Sequence, residues 1–148
     1  VIALSWQNLQ QRRVTLKTDL ESLPPVSGDR VQLQQVILNL LSNASDAMRE
    51  VHDRPRQISI RTARDEDGVA RLSVEDTGVG LPPESGNQLF DAFYTTKSDG
   101  MGIGLSVSRS TIESHQGRLW CESNDGPGAT FAFAIPVAMY DEQLDTVR

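Results

Sequence analysis

The segment Arg30–Val51 constrains this chain more than any other stretch. Leu33, Val36, Ile37, Leu40, Leu41, Ala44, Ala47, Met48 and Val51 recur at the helical period, which predicts an amphipathic helix with a broad apolar stripe. Such a stripe is stable only against a second layer, and the rest of the chain offers one. Val14–Leu20 alternates apolar and polar residues like a half-buried strand. Gln57–Arg64, Ala70–Asp76, Arg118–Ser123 and Thr130–Pro136 read as four further strands. Asp65–Gly68 and the Asn-Asp-Gly-Pro-Gly run at 124–128 read as turns. Ile2–Arg13 and Ile103–His115 are predicted helices, the second ended by Gly117. Asp29, after the turn residues Pro24, Pro25, Ser27 and Gly28, is the expected N-cap of the long helix. Residues 77–100 read as loop, with at most a short helix around 88–92. The expected class is α/β, with three helices on one face of a mixed, largely antiparallel sheet of about five strands. The strands and helices do not alternate as a doubly wound dinucleotide fold requires.

Composition narrows the function. The 148 residues suit one ordinary domain, and 38% apolar with 23% charged residues suits a folded one. A formal charge of -6 argues against a nucleic-acid binder working through bulk phosphate attraction, and at first sight against any polyanion. No apolar run approaches the roughly 18 residues of a membrane span. The single cysteine, Cys121, excludes an internal disulfide and a multi-cysteine zinc site. A reducing, cytoplasmic setting is expected, and a chain opening at Val1 without a signal segment reads as a fragment of something longer. Trp6 and Trp120 are expected to pack, and Cys121 to be a small buried apolar side chain.

Four patches carry chemistry. On the long helix, Gln35, Asn39, Asn43 and Asp46 share the face opposite the apolar stripe. Two asparagines one turn apart cost helix propensity, and a carboxamide oxygen is a good ligand for a hard cation. At a strand end, Asp76-Thr77-Gly78-Val79-Gly80 pairs an acceptor carboxylate with two glycines that let the backbone approach a ligand. Leu89-Phe90-Asp91-Ala92-Phe93-Tyr94-Thr95-Thr96-Lys97 carries one of only two lysines. Gly100-Met101-Gly102-Ile103-Gly104-Leu105 opens a helix, where backbone N–H groups and the helix dipole favour an anion. It is neither a Walker motif nor a dinucleotide fingerprint. Each patch alone fits an ordinary turn, solvated face or surface lysine.

Together, in this order, they resemble the motifs of the sensor histidine kinases. The run from Gln35 to Met48 is similar to the N box, Asp76–Gly80 to the first glycine box and Leu89–Lys97 to the F box. Gly100–Leu105 is similar to the second glycine box, and Gly126-Pro127-Gly128-Ala129-Thr130-Phe131 to the last. The resemblance covers residues 1–136, leaving 137–148 as a tail or linker. It is nearest in character to the oxygen-, nitrogen- and dicarboxylate-sensing branch.

The resemblance implies the Bergerat-type two-layer α/β sandwich, with ATP held between the helices and a mobile lid. On this reading Asn43 ligates Mg²⁺, and Asn39 and Asp46 line the nucleotide site. Asp76 accepts from the adenine amino group, assisted by Thr130, while Gly78 and Gly80 let the backbone pass the base. Gly100, Gly102 and Gly104 hinge the lid and offer N–H groups to the phosphates. Phe90 and Phe93 anchor the lid, and Thr96, Met101, Ile103 and Leu105 complete the nucleotide-binding set. Lys97 is the candidate contact for the γ-phosphate. Many relatives place a lysine or arginine three residues after the magnesium asparagine. This chain has Asp46 there, which shifts weight to Lys97 and Mg²⁺.

The implied reaction is phosphoryl transfer from ATP to a histidine on a dimerisation hairpin, with a response-regulator receiver as the next partner in two-component signalling. His52-Asp53-Arg54-Pro55 is superficially similar to an acceptor box, but its proline is too close and it follows a helix. His115 reads as structural capping. The chain is therefore expected to present ATP without phosphorylating itself, as a monomer with no nucleic-acid or membrane contact. Two alternatives stand beside this reading. One is another enzyme of the same fold, an anti-sigma serine kinase or a chaperone- or topoisomerase-type ATPase. The other is a degenerate scaffold. Asn39 stands where those ATPases carry a catalytic glutamate nearby.

Overall fold

The computed structural model describes residues 7, 9–65, 68–80 and 104–137. Among the described residues the named elements are, in order, β1 (Thr15–Leu20), α1 (Arg30–Ala47), β2 (Gln57–Arg64), β3 (Val69–Asp76), α2 (Gly104–Ser114), β4 (Arg118–Ser123) and β5 (Ala129–Pro136). The strands form one sheet in the order β1-β2-β3-β5-β4. β1 and β2 are parallel because α1 carries the chain across between them. The remaining pairs are antiparallel. The expected two-layer α/β architecture with a mixed five-stranded sheet is what the chain adopts. Of the three expected helices, α1 and α2 are described in full. The first is represented among the described residues by a turn at 9–11, whose Leu9 is buried in the core.

α1 starts where its cap dictates. Asp29 has extended backbone angles, and its Oδ1 accepts from the Gln32 N–H at 3.0 Å. Val36, Leu40, Leu41, Ala44 and Met48 are buried against the sheet, with Leu33 and Ile37 packed at the edge of that core. The helix stops at Ala47, four residues before the expected Val51. Beyond it, Arg56 takes the carbonyls of Arg49 at 3.0 Å and Val51 at 3.0 Å, which satisfies them outside a helix. Val51 nonetheless reaches the core.

Three local expectations change. β1 is an exposed edge strand, with only Leu16 half-buried, rather than half-buried throughout. The left-handed residue after α2 is Gln116, at φ 60°, not Gly117. Gly117 is needed for another reason: a Cβ there would run into the Ala134 carbonyl oxygen. Trp120 does not pack in the core. It lies on the sheet face away from the helices, bonded through Nε1 to Glu122 at 3.0 Å, with the Arg118 guanidinium 4.5 Å from the ring centroid. Trp6 lies outside the described residues.

His115 behaves as a structural cap. One ring nitrogen, Nδ1, lies 2.7 Å from the Thr111 carbonyl, and Nε2 accepts from the Asp29 N–H at 3.0 Å. This ties the end of α2 to the start of α1. Cys121 is half-buried beside the core, and burial raises its thiol pKa. Val137, placed by sequence in the tail, is buried and bridges to Val26. Among the described residues no helix is long and apolar enough to cross a membrane.

Candidate functional site

The site is built at the end of β3, where the alternation of the strand turns Asp76 to the same side as Ala70 and Val74, toward the helices. Asp76 is 1% exposed. Its Oδ1 accepts from the Gly78 N–H at 2.9 Å and the Ala129 N–H at 3.3 Å. Among the described residues nothing donates to Oδ2. Burial pushes the carboxyl pKa above its ordinary 3.8; the two amides oppose this, and Glu75 adds to it. A buried carboxylate with one oxygen held by amides and the other without a donor among the described residues has acceptor capacity to spare.

Backbone close to Asp76 is drawn in tightly. A Cβ on Gly78 would sit 2.5 Å from the Ala47 carbonyl oxygen, and the neighbouring Val79 N–H donates to that oxygen at 3.1 Å. Gly128 has φ 92°, and a Cβ there would collide with the Asp76 carbonyl oxygen. Both contacts demand glycine. Gly80, at φ 82°, turns the chain away beside Gly128. Asn124 closes the far side, its Nδ2 donating to the Asp76 carbonyl at 2.9 Å and to Pro127 at 3.1 Å.

On α1 the four polar residues have three different situations. Gln35 donates to Asn39 at 3.0 Å, and Asn39 donates to Ser108 of α2 at 3.1 Å, so Asn39 also joins the two helices. Asn43 is one turn on and half-buried, and its side chain makes no hydrogen bond to the described residues. Its carboxamide oxygen is available, and one such oxygen with phosphate oxygens suits Mg²⁺. Asp46 is ion-paired to Arg12 at 2.6 Å and to Arg49 at 3.4 Å. Arg12 also donates to Ser45 at 3.1 Å. The carboxylate that stands in place of a phosphate-binding cation thus holds the N-terminal turn onto α1.

Thr130 is not beside Asp76. It is paired with Glu75 in the β3–β5 register, and partners in an antiparallel pair share a face. Both point away from the helices, and the Thr130 hydroxyl donates to Asn124 at 2.6 Å. Ala129, one residue earlier, occupies the place expected of Thr130. Gly104 begins α2, and Leu105 packs against the core. Phe90, Phe93, Thr96, Lys97, Gly100, Met101, Gly102 and Ile103 lie outside the described residues.

Sequence reasoning missed Ala129, Asn124, Arg12 and Arg54. Ala129 acts through its amide, which no side-chain motif reveals. Asn124 opens the turn at 124–128, two residues before the last glycine box, and carried a usable signal. The two arginines act across 34 and 24 positions, respectively, which only folding brings together.

Comparison with known proteins agrees with this geometry. A family described as histidine kinase-, DNA gyrase B- and HSP90-like ATPase matches residues 28–139. The sensor protein FixL of Bradyrhizobium diazoefficiens is 42% identical over 137 residues, 92% of this chain and 27% of FixL. The chain thus spans about a quarter of that relative's length. The catalytic domain of the histidine kinase ThkA superposes with a TM-score of 0.79 at 30% identity, covering 91% of this chain and 88% of that one. ThkA in complex with the response regulator TrrA superposes with a TM-score of 0.76 at 29% identity, covering 93% and 38%. With its motifs in order, its sandwich fold and its buried Asp76, the chain belongs to the histidine kinase-, DNA gyrase B- and HSP90-like ATPase family, as a sensor-histidine-kinase ATP-binding domain.

Proposed function

We propose that this domain binds Mg-ATP and donates its γ-phosphate to a histidine on a dimerisation hairpin of the same parent protein, in two-component signalling. The observation that carries the reading is Asp76, whose Oδ1 is saturated by two backbone amides while Oδ2 has no donor among the described residues. The adenine amino group supplies that donor. Gly78 and Gly80 let the base lie against backbone, and Asn39 and Asn43 line the triphosphate side.

Asn43 would hold Mg²⁺, which when bound neutralises phosphate charge. Lys97, Thr96, Phe93 and residues 100–103 are proposed to complete the site from the lid. In the transfer, the lone pair of the histidine nitrogen attacks the γ-phosphorus, the bond to the β-phosphate oxygen breaks, and ADP leaves. Such a step rests on positioning and charge neutralisation rather than on covalent help from the protein. A response-regulator receiver, of the kind ThkA binds, is the proposed acceptor from the phosphohistidine. The fragment is proposed to be monomeric and cytoplasmic, with the domain ending near residue 136.

Calorimetric titration with Mg-ADP tests the binding. Wild type should bind, and Asp76→Asn, which keeps an acceptor for both amides but can present an N–H₂ to the base, should bind roughly 10- to 150-fold more weakly. Equal affinities would overturn the assignment. In the longer parent, radiolabelled ATP should yield acid-labile phosphohistidine. Steady ATP hydrolysis by the isolated domain would instead favour an ATPase of the same fold.

A further inference from the structure

The turn that follows Asp76 has a second support that the motifs do not include. β2 pairs with β3 only as far as Ile58 opposite Asp76, so Thr77 and Gly78 have no strand partner. Arg54, just before β2, stands in for one. Its Nε donates to the Thr77 carbonyl at 2.8 Å and its Nη2 to the Gly78 carbonyl at 2.7 Å. These two nitrogens form the side edge of the guanidinium, whose parallel N–H groups match two successive carbonyls. Nη1 turns to the exposed Asp53 at 3.1 Å.

The two peptide groups that link Thr77 to Gly78 and Gly78 to Val79 are thereby accounted for. The Thr77 and Gly78 carbonyls go to Arg54, the Gly78 N–H goes to Asp76 Oδ1, and the Val79 N–H goes to the Ala47 carbonyl. The Thr77 hydroxyl adds a tie to the Pro55 carbonyl at 2.9 Å and accepts from the Gln57 N–H at 3.1 Å. The Gly78 N–H can hold Asp76 Oδ1 only while the 77–78 peptide keeps its orientation. That orientation is set by the two carbonyls on Arg54.

We propose that Arg54 is a positioning residue for nucleotide binding: its guanidinium edge fixes Thr77–Gly78 so that Gly78 holds Asp76 Oδ1 and leaves Oδ2 free for the adenine amine. The inference rests on the nucleotide reading above. It assigns Arg54 no contact with the nucleotide. It makes the adenine acceptor depend on a side chain outside the glycine boxes. Lysine keeps the charge but offers a point donor in place of the paired edge, so Arg54→Lys separates geometry from electrostatics.

The test measures Mg-ADP affinity by calorimetry and backbone amide exchange by NMR in wild type, Arg54→Lys, Arg54→Gln and Arg61→Lys. Arg61 is exposed on the far face of the sheet and serves as the control. Arg54→Lys is expected to weaken Mg-ADP binding roughly tenfold. Its Gly78 amide should exchange at least about tenfold faster, while the core amides of Ile60 and Val74 keep their protection. Arg61→Lys should match wild type in both readouts. Unchanged affinity in Arg54→Lys, or unchanged Gly78 exchange, overturns the proposal. So does a loss of protection spread equally over Gly78, Ile60 and Val74, because that is the signature of general destabilisation. If wild type itself fails to bind Mg-ADP, the nucleotide reading fails, and the proposal for Arg54 falls with it. Gly78 exchange then reports only whether Arg54 holds the turn.

Discussion

Asp76 and Glu75 are neighbours in β3, as are Ala129 and Thr130 in β5, yet the sheet divides each pair. The helix-side members meet: the Ala129 amide donates to the Asp76 carboxylate, which is 1% exposed. The outward members sit with Trp120, Glu122 and Arg71 on an open, mixed-charge face. The same backbone therefore presents a buried, amide-held carboxylate on one side and an ordinary solvated surface on the other. A motif spelled as a string does not say which side a residue takes; strand alternation does. The Asn124 side chain links the two, donating to the Asp76 carbonyl and accepting from Thr130.

Substitutions at this divide should rank by how directly they disturb the helix side. Gly128→Ala should have the largest effect, since its φ of 92° is strained for alanine and its Cβ would meet the Asp76 carbonyl. A loss of about 1–3 kcal/mol in urea unfolding is expected, together with weakened Mg-ADP binding. Wild-type stability would show that the two backbones are not in close approach.

Next comes the pH dependence of the unliganded domain. Asp76 holds its proton more tightly folded than unfolded, because its pKa is raised above 3.8. Unfolding therefore releases a proton in that window, and stability falls as pH rises through it. Asp76→Asn should remove this contribution, so the stability of the variant relative to wild type should rise with increasing pH. A difference that runs the other way would mean a depressed pKa and a carboxylate stabilised by its amides.

Asn124→Ala removes the bridge between the faces and should cost about 1 kcal/mol of stability, with a smaller loss in nucleotide affinity. Thr130→Val should be the mildest: a change within about 0.5 kcal/mol in unfolding and no change in calorimetric affinity for Mg-ADP. A clear affinity loss in Thr130→Val would return that residue to the nucleotide side and undo the comparison.

Much of the architecture was legible because it is local. The α1 stripe, the Asp29 cap and the two antiparallel hairpins are written in periodicity and turn residues a few positions apart. β4 begins and ends where alternation places it, and β3 and β5 each start one residue early. The candidate site was legible as a set of boxes, and the fold brings Asp76, Gly78 and Gly128 together at the end of β3. Thr130 was misplaced because a one-residue step inverts a strand side chain. Asp46 was read toward the ligand, yet it is paired to Arg12, whose closeness depends on the N-terminal turn docking on α1. Trp120 was expected to pack on general hydrophobic grounds, but β4 turns it outward.

The charge of -6 shows the same split. It counts side chains and so discourages nucleic acid, but an anion site of the proposed kind, made of amides, a metal ion and one lysine, would be invisible to it. By itself the sequence determined the element order, the helix faces and the family motifs, since these rest on spacing along one chain. Tertiary structure alone decided which oxygen of Asp76 is held, which neighbour faces it and which arginine steadies the turn. Those outcomes depend on the register of β3 against β5 and on donors that meet only after distant segments have folded together.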